Sequence, residues 1–197
     1  MVRSVRVLDR VLEIRIGEDP YRQEEALFCD ASFLEMFSFP MIEGDRSTAL
    51  IDVNSVVISR AASEKYFGGD SPLGRQLIAG GALLTVAGVL ENAPANSSIQ
   101  FDLLIPFIKL FEIVPQMSNA IDRWNYASTS TFIELSGPAQ AASFEGQLPD
   151  FVETHYPSFM SRQLIPQPIT AMYLDQDVGF GLGPTSDPNL SYILICT

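Results

Sequence analysis

Few residues in this chain have the type and spacing that chemistry demands. Gly69-Asp70-Ser71-Pro72-Leu73-Gly74-Arg75-Gln76 has the glycine spacing of a phosphate-cradling P-loop. Such a loop needs a Lys for the phosphate oxygens and a Ser or Thr for magnesium, at the start of a helix. Arg75 and Gln76 fill those places and the residues after them read as strand, so a turn is expected. Gly179-Phe180-Gly181-Leu182-Gly183 lies in a long Gly/Pro-rich tract with no helix after it, which reads as a connector. His155 is the single histidine. A Ser-His-Asp triad would need a positioned nucleophile, and there is no G-x-S-x-G elbow. No other His or Cys stands at zinc-ligand spacing. At the end of an expected helix, His155 is explained by the negative end of the helix dipole.

Carboxylates are the remaining candidates. Glu24-Glu25 and Asp175/Asp177 could form the acid pair of a glycosidase, but both lie in polar stretches and read as a solvated acidic face. Asp175-Gln176-Asp177 lacks the other ligands of an EF-hand loop. Asn96-Ser97-Ser98 matches the three-residue glycosylation pattern, which has low specificity. Cys29, in the apolar run Ala26-Leu27-Phe28-Cys29, reads as a small buried hydrophobe, and with Cys196 so distant no disulfide scaffold is expected. The sequence therefore predicts no catalytic residue, no cofactor and no metal.

The elements around these residues alternate without a strict βαβ rhythm. Strands are expected at Leu12–Ile16, Ala26–Cys29, Asn54–Ile58, Phe101–Ile105, Thr131–Leu135 and Thr170–Leu174. Gln76–Ile78 and Ala82–Leu90 read as a hairpin across Ala79-Gly80-Gly81. Asp30 or Ser32 would cap a short helix carrying Phe33 and Phe37 on one face. Ser59 would cap a helix from Arg60 to Phe67, ended by Gly68. Pro138–Tyr156 reads as helix, with Phe144, Leu148, Phe151 and Val152 at helical spacing and Pro149 expected to kink or split it. This mixture is α+β. A block at about 49–102, with its own strand, helix and hairpin, interrupts two flanking segments that must meet for Phe33/Phe37 and Phe144/Phe151 to share a core. Two lobes follow, the second inserted into the first.

Composition narrows the partners. Of 197 residues, 47% are hydrophobic, which excludes intrinsic disorder. Twelve basic against twenty-four acidic residues give a net charge of −12. That surface repels phosphate backbones, so no nucleic acid is expected. No stretch reaches the length of a membrane span, and the basic Met1–Arg6 lacks the apolar core of a signal peptide. Ser191–Thr197 turns apolar as the chain stops, either a last buried strand or the first turns of a further helix.

From Asp30 to Phe107 the motifs run in a specific order. They are Asp30-Ala31-Ser32-Phe33-Leu34-Glu35-Met36-Phe37-Ser38-Phe39-Pro40, Glu43-Gly44-Asp45, Thr48-Ala49-Leu50, Asn54–Ser59, Ala62 and Lys65-Tyr66-Phe67-Gly68. Asp70, Pro72-Leu73-Gly74, Thr85–Leu90, Pro94, Asn96-Ser97-Ser98 and Phe101-Asp102 complete the series. This order resembles the periplasmic core domain of MacB-like (FtsX-type) ABC transporter permeases. Cys29 replaces an aromatic or small residue of that pattern, and Arg75 a Lys.

The resemblance implies a porter-like lobe (1–48 and 103–190) interrupted by a small Sabre-like lobe (49–102). Residues 191–197 would then begin a membrane helix or linker. It also implies a non-enzymatic extracytoplasmic domain of a bacterial inner-membrane protein. Its partners would be the permease's own transmembrane helices, a separate ATPase subunit or domain and a second permease copy. Its cargo would be a peptide, lipoprotein or other amphiphile. Phe33, Phe37 and Phe39 are expected in the porter-lobe core. Gly68, Pro72 and Gly74 would set a sharp connection, and Gly88 would permit a strand bend or close packing. Two competing functions are a binding module that captures a peptide or lipid in an apolar cleft, and a hydrolase built on a buried carboxylate pair.

Overall fold

The computed structural model describes residues 3–18, 22–119, 129–156 and 163–169. Its first element, strand β1 (Arg3–Arg15), is thirteen residues long. Only Leu12–Ile16 was expected to be strand, because Arg3, Ser4, Arg6 and Arg10 interrupt the apolar pattern before it. The alternation is nevertheless regular: Val5 and Val7 point to one face, and Leu8, Leu12 and Ile14 to the other. Strand β2 (Arg22–Cys29) returns antiparallel along it, with Val7 opposite Cys29 and Ile14 opposite Arg22.

A single helical turn, α1 (Phe33–Met36), follows. Ser32 precedes it but does not cap it: its hydroxyl donates to the Ser4 carbonyl at 2.8 Å. Asp30 is likewise taken, by Arg6. The short strand β3 (Met41–Gly44) was not among the expected strands.

The next segment follows the sequence reading closely. Strand β4 (Ser55–Ser59) leads into helix α2 (Arg60–Phe67), and the Ser59 hydroxyl accepts the Ala62 N–H at 3.1 Å. Gly68, at φ 64°, turns the chain out of the helix while its N–H donates to the Glu64 carbonyl. Strands β5 (Gln76–Ala79) and β6 (Ala82–Leu90) form the expected hairpin. Its two linking residues, Gly80 and Gly81, both have positive φ, as a tight two-residue hairpin turn requires. After strand β7 (Leu103–Pro106) come a 3-10 turn (Phe107–Lys109), helix α3 (Leu110–Ile113), strand β8 (Ser130–Glu134) and helix α4 (Pro138–His155).

All eight strands join one mixed sheet, which with its helices makes the fold α+β. β7 lies parallel to β2 and antiparallel to β4, and β4 lies parallel to β6. β5 then reaches β1 through Ile14–Ala79 and Arg15–Ile78. Since β1 also pairs with β2, the path β1-β2-β7-β4-β6-β5 returns on itself. β8 adds to the first half of β1, and β3 adds to β6. Strands within 49–102 thus hydrogen-bond to β1, β3 and β7, which lie outside that range.

Each face of the sheet buries its own core. Leu8, Leu12, Phe28, Ile58, Leu84 and Ile105 pack with Ala62 and Phe67 of α2 and with Phe107 and Leu110. On the other face Val5, Val7, Leu27, Val57 and Leu104 pack with Phe33 and Leu34 of α1, Leu50, Ile99 and Phe101. Buried on both sides, β4 and β7 read as continuous apolar runs, as strands covered on both faces should.

Helix α4 departs from expectation. It runs unbroken through Pro149, and it has no buried residue. Pro149 deprives the Glu145 carbonyl of its helical donor, a loss that an exposed helix meets with water. Phe144 and Phe151 do not join the Phe33/Phe37 core, and Phe151 is 38% exposed. The flanking segments meet instead through β1–β8 pairing and through Phe132 of β8, whose ring lies 5.3 Å from that of Phe37. Trp124, the expected strand 170–174, the tract 179–188 and residues 191–197 lie outside the described residues.

Two glycines separate backbone strain from packing. Gly44 has φ 93°, and a Cβ there would stand 2.4 Å from the Ala87 carbonyl oxygen. Gly68 also has positive φ, but a Cβ would meet nothing within 4 Å. Gly68→Ala should cost about 1–2 kcal/mol of stability from backbone strain alone. Gly44→Ala should cost more, about 2–3 kcal/mol, because strain and collision add. Urea denaturation of the two variants would check the order.

Candidate functional site

Polar groups enter the core at Glu24, under α2, and at Arg46, under the aromatic loop. Glu24, on β2, stands opposite Leu12 of β1 and is only 6% exposed, whereas its neighbour Glu25 faces solvent. The solvated acidic face expected at Glu24-Glu25 is therefore half wrong. Alternation along β2 turns one of two adjacent carboxylates inward, where α2 covers it. Lys65, in the last turn of α2, forms an ion pair with the Glu24 carboxylate. Tyr66 and Asp102 are near enough to influence its titration. Burial pushes the Glu24 acidity toward the neutral form, but hydrogen bonds from Lys65 and Tyr66 outweigh it and hold the pKa below the ordinary value.

Asp102 stitches the same junction through its backbone. Its N–H donates to the Glu25 carbonyl at 2.8 Å, and its carbonyl accepts the Ser59 N–H at 2.9 Å. Its carboxylate accepts the Glu25 N–H at 3.3 Å. Burial, and then the charges of Glu24 and Glu25, push its pKa above the ordinary aspartate value. A hydrolytic acid pair must leave one carboxyl free toward substrate. The Glu24 carboxylate is buried and taken by Lys65, so the arrangement fits a structural junction better than an acid pair.

The second place lies under the opposite face. Phe33, Phe37, Phe39, Phe101 and Phe132 form a connected set of rings, with Phe33–Phe37 centroids at 4.8 Å and Phe39–Phe101 edge to face at 5.0 Å. The loop that carries Phe37 and Phe39 has no sheet partner for its carbonyls. Arg46 reaches under it and donates to the carbonyls of Leu34, Phe37 and Phe39. Nothing in the sequence pattern flagged Arg46; its signal is only that a cation follows an aromatic, irregular stretch. Cys29 is fully buried beside these rings, and burial pushes its thiol pKa far up.

At the end of β2, Asp30 accepts three hydrogen bonds from Arg6, from the backbone N–H (2.9 Å) and the guanidinium (3.0 and 2.7 Å). Burial pushes the Asp30 pKa up, but these bonds outweigh it and the net shift is downward. The Arg6 guanidinium also lies 4.2 Å from the Phe107 ring centroid. The clamp fixes β1 against β2 from both ends of the side chain.

The P-loop-like segment is a turn whose donors are used internally. The Gly74 N–H donates to Val86, Val86 donates back to Arg75, and the Arg75 N–H donates to Pro72. The Arg75 side chain bonds Asp70 at 3.0 Å. Pro72 is buried in this turn, and Gly74 has φ 76°. Gly88 sits where the β4–β6 register shifts, with Met41 Sδ 3.1 Å from where its Cβ would stand. His155 is the last residue of α4, its ring 4.6 Å from that of Phe151. Among the described residues no group of three or more His, Cys, Asp or Glu could hold a metal. Leu148 and Val152 of α4, with Leu164 and Ile165, line a groove of about 510 Å³ whose rim carries Glu145 and Glu153.

Comparison with known proteins places this architecture. The family model described as the MacB-like periplasmic core domain matches residues 2–151. No curated protein matches the chain. Among solved structures, a domain of a permease protein from Porphyromonas gingivalis is similar over 99% of this chain and 79% of its own, with TM-score 0.65 and 21% identity. The extracellular domain of the noncanonic ABC-type transporter YknZ from Gram-positive bacteria covers 78% and 75%, with TM-score 0.57 and 20% identity. The periplasmic region of MacB from Actinobacillus actinomycetemcomitans covers 77% and 66%, with TM-score 0.56 and 11% identity.

Two measurements probe the apolar site. Phe33→Ala removes the ring that touches three others and should cost about 3–5 kcal/mol in chemical denaturation. With Cys196 replaced by Ser, Cys29 should resist a maleimide in the native protein and react only at the unfolding rate. Prompt native labelling would show that the core opens locally.

Proposed function

This chain belongs to the MacB-like periplasmic core domain family, and we propose that it couples ATP-driven movement to substrate or partner handling outside the membrane. On this reading it is a non-enzymatic extracytoplasmic domain of a bacterial inner-membrane permease. Residues 1–48 and 103–190 would be the porter-like lobe, 49–102 the inserted Sabre-like lobe, and 191–197 the start of a membrane helix or linker. Phe33, Phe37 and Phe39 would hold the porter lobe together. Gly68, Pro72, Gly74 and Gly88 would shape the inserted one. Its partners would be the transmembrane helices of the same permease, a separate ATPase subunit or domain and a second permease copy.

One observation carries the mechanical part of this reading. The strands of 1–48, 49–102 and 103–190 share one hydrogen-bonded sheet. A body joined this way transmits a displacement at one end to the other, because packed interiors do not deform continuously. None of the helices among the described residues is long and apolar enough to cross a membrane. The permease's own spans would supply the driving motion.

A second reading, a module that captures a peptide or lipid, draws on the groove beside α4. Its apolar floor of Leu148, Val152 and Leu164 and its acidic rim suit a cationic amphiphile. Binding of such a peptide that is lost in Leu148→Asp would favour this reading over pure transmission.

The coupling itself can be measured on the full-length permease with its ATPase in nanodiscs. Spin labels at Ile51→Cys, an exposed position, report the distance between two copies by double electron–electron resonance. The expected outcome is a different distance distribution with ATP trapped than with ADP. Identical distributions under active ATP turnover would sink the proposal.

A further inference from the structure

We propose that the groove beside α4 seats a lysine side chain of a peptide outside the membrane, its ammonium held by a row of three acceptors that Pro149 completes. The inference rests on the capture reading given above and names the group that the groove selects. Glu145, Pro149 and Glu153 follow one another at four-residue spacing, so they share one stripe of α4, and all three line the groove. All three are exposed. Leu148 and Val152 form the neighbouring stripe and are half-buried. With Leu164 and Ile165 they make the apolar part of the lining.

Pro149 matters for the group it lacks. It has no N–H, so the Glu145 carbonyl four residues earlier has no helical donor, although α4 stays helical through this point. In a helix that carbonyl points toward the C-terminal end and lies beside position 149, on the stripe that lines the groove. The residues carrying the two carboxylates stand about 6 Å along the axis to either side of Pro149. Neither carboxylate joins an ion pair among the described residues. Apart from the Gln163 amide, the lining holds no side-chain donor and no cation.

This set of groups selects its occupant. A volume of about 510 Å³ is within the range of small-ligand sites. The apolar lining suits an aliphatic stem, and an ammonium with three N–H donors matches a carboxylate, a carbonyl and a second carboxylate. Lysine has both parts. Arginine's planar fork favours the two oxygens of one carboxylate over three acceptors spread along a helix. An amine-bearing lipid headgroup carries a phosphate beside its ammonium, which Glu145 and Glu153 repel. A second copy of this chain, with its net charge of −12, is opposed by the same repulsion.

Three peptides separate these contributions in NMR titrations of the 197-residue protein. They are Leu-Lys-Leu blocked at both ends, the same peptide with trimethyllysine, which keeps the charge without an N–H, and the same with norleucine, which has neither. The lysine peptide should shift the Leu148 and Val152 methyl resonances with several-fold higher affinity than the trimethyllysine peptide, and norleucine should bind most weakly. Pro149→Ala restores a donor to the Glu145 carbonyl. It should raise the thermal midpoint and yet lower the lysine affinity to that of trimethyllysine, a loss that a purely structural role for Pro149 does not produce. Glu145→Gln combined with Glu153→Gln should weaken both cationic peptides and leave norleucine binding unchanged. Equal binding of lysine and trimethyllysine, or Pro149→Ala binding lysine as the wild type does, would overturn the seat. The capture reading would then still stand if norleucine binding disappears in Leu148→Asp. Absence of shifts with every peptide would remove both. Tighter binding of dihexanoyl phosphatidylethanolamine than of the lysine peptide would overturn the peptide as the source of the ammonium.

Discussion

Every peptide group of β1 from Arg3 to Arg15 needs a partner, and three different strands supply them. β8 takes residues 3–7, β2 takes 7–14 and β5 takes 14–15. That division also decides which side chains are buried. The buried face of β1 changes at Val7–Leu8, because one cover lies over its first half and another over its second. Remove this strand and the closed path of six strands opens, β8 loses its sheet, and each core loses a wall.

Polar side chains act as the fastenings of this arrangement rather than as its chemistry. Arg6 binds Asp30 where β2 ends, and Arg46 collects the loose carbonyls of the aromatic loop. Lys109, 3% exposed, donates from the 3-10 turn to Asn54 at 2.8 Å and to Glu112 at 2.6 Å. Each lies where regular pairing stops and backbone or side-chain acceptors would otherwise be buried alone. The Lys65–Glu24 ion pair belongs with them, fastening α2 to β2.

The middle of the chain was the most legible part. Ser59, the helix after it, Gly68 and the Gly80-Gly81 hairpin carry local signals, and local signals survive folding unchanged. The ordered motifs from Asp30 to Asp102 were equally informative about the family. Long-range facts were not readable. The first half of β1 is disguised by Arg3, Ser4 and Arg6, whose partners Glu134, Asp30 and the Ser32 hydroxyl lie far along the chain. Glu24 and Glu25 are adjacent and chemically alike, and only the cover provided by α2 separates them. The spacing of Phe144 and Phe151 was read as a core face, yet periodicity says which residues share a side, not what covers it.

The pairing of β1 also fixes the order in which the chain can fold. Arg3 pairs with Glu134, and Leu27 lies beside Leu104, so the sheet waits for partners made last. Loop closure over such distances comes before any reward, which places this topology among the slower ones. The first half of a nascent β1 would spend that interval as an open edge, a template for pairing with another chain. Arg3, Arg6 and Arg10 interrupt the strand at close intervals, and such gatekeeper charges oppose association of two unfinished copies. Two of the residues that hid β1 from the sequence reading, Arg3 and Arg6, are thus also charges that oppose such pairing.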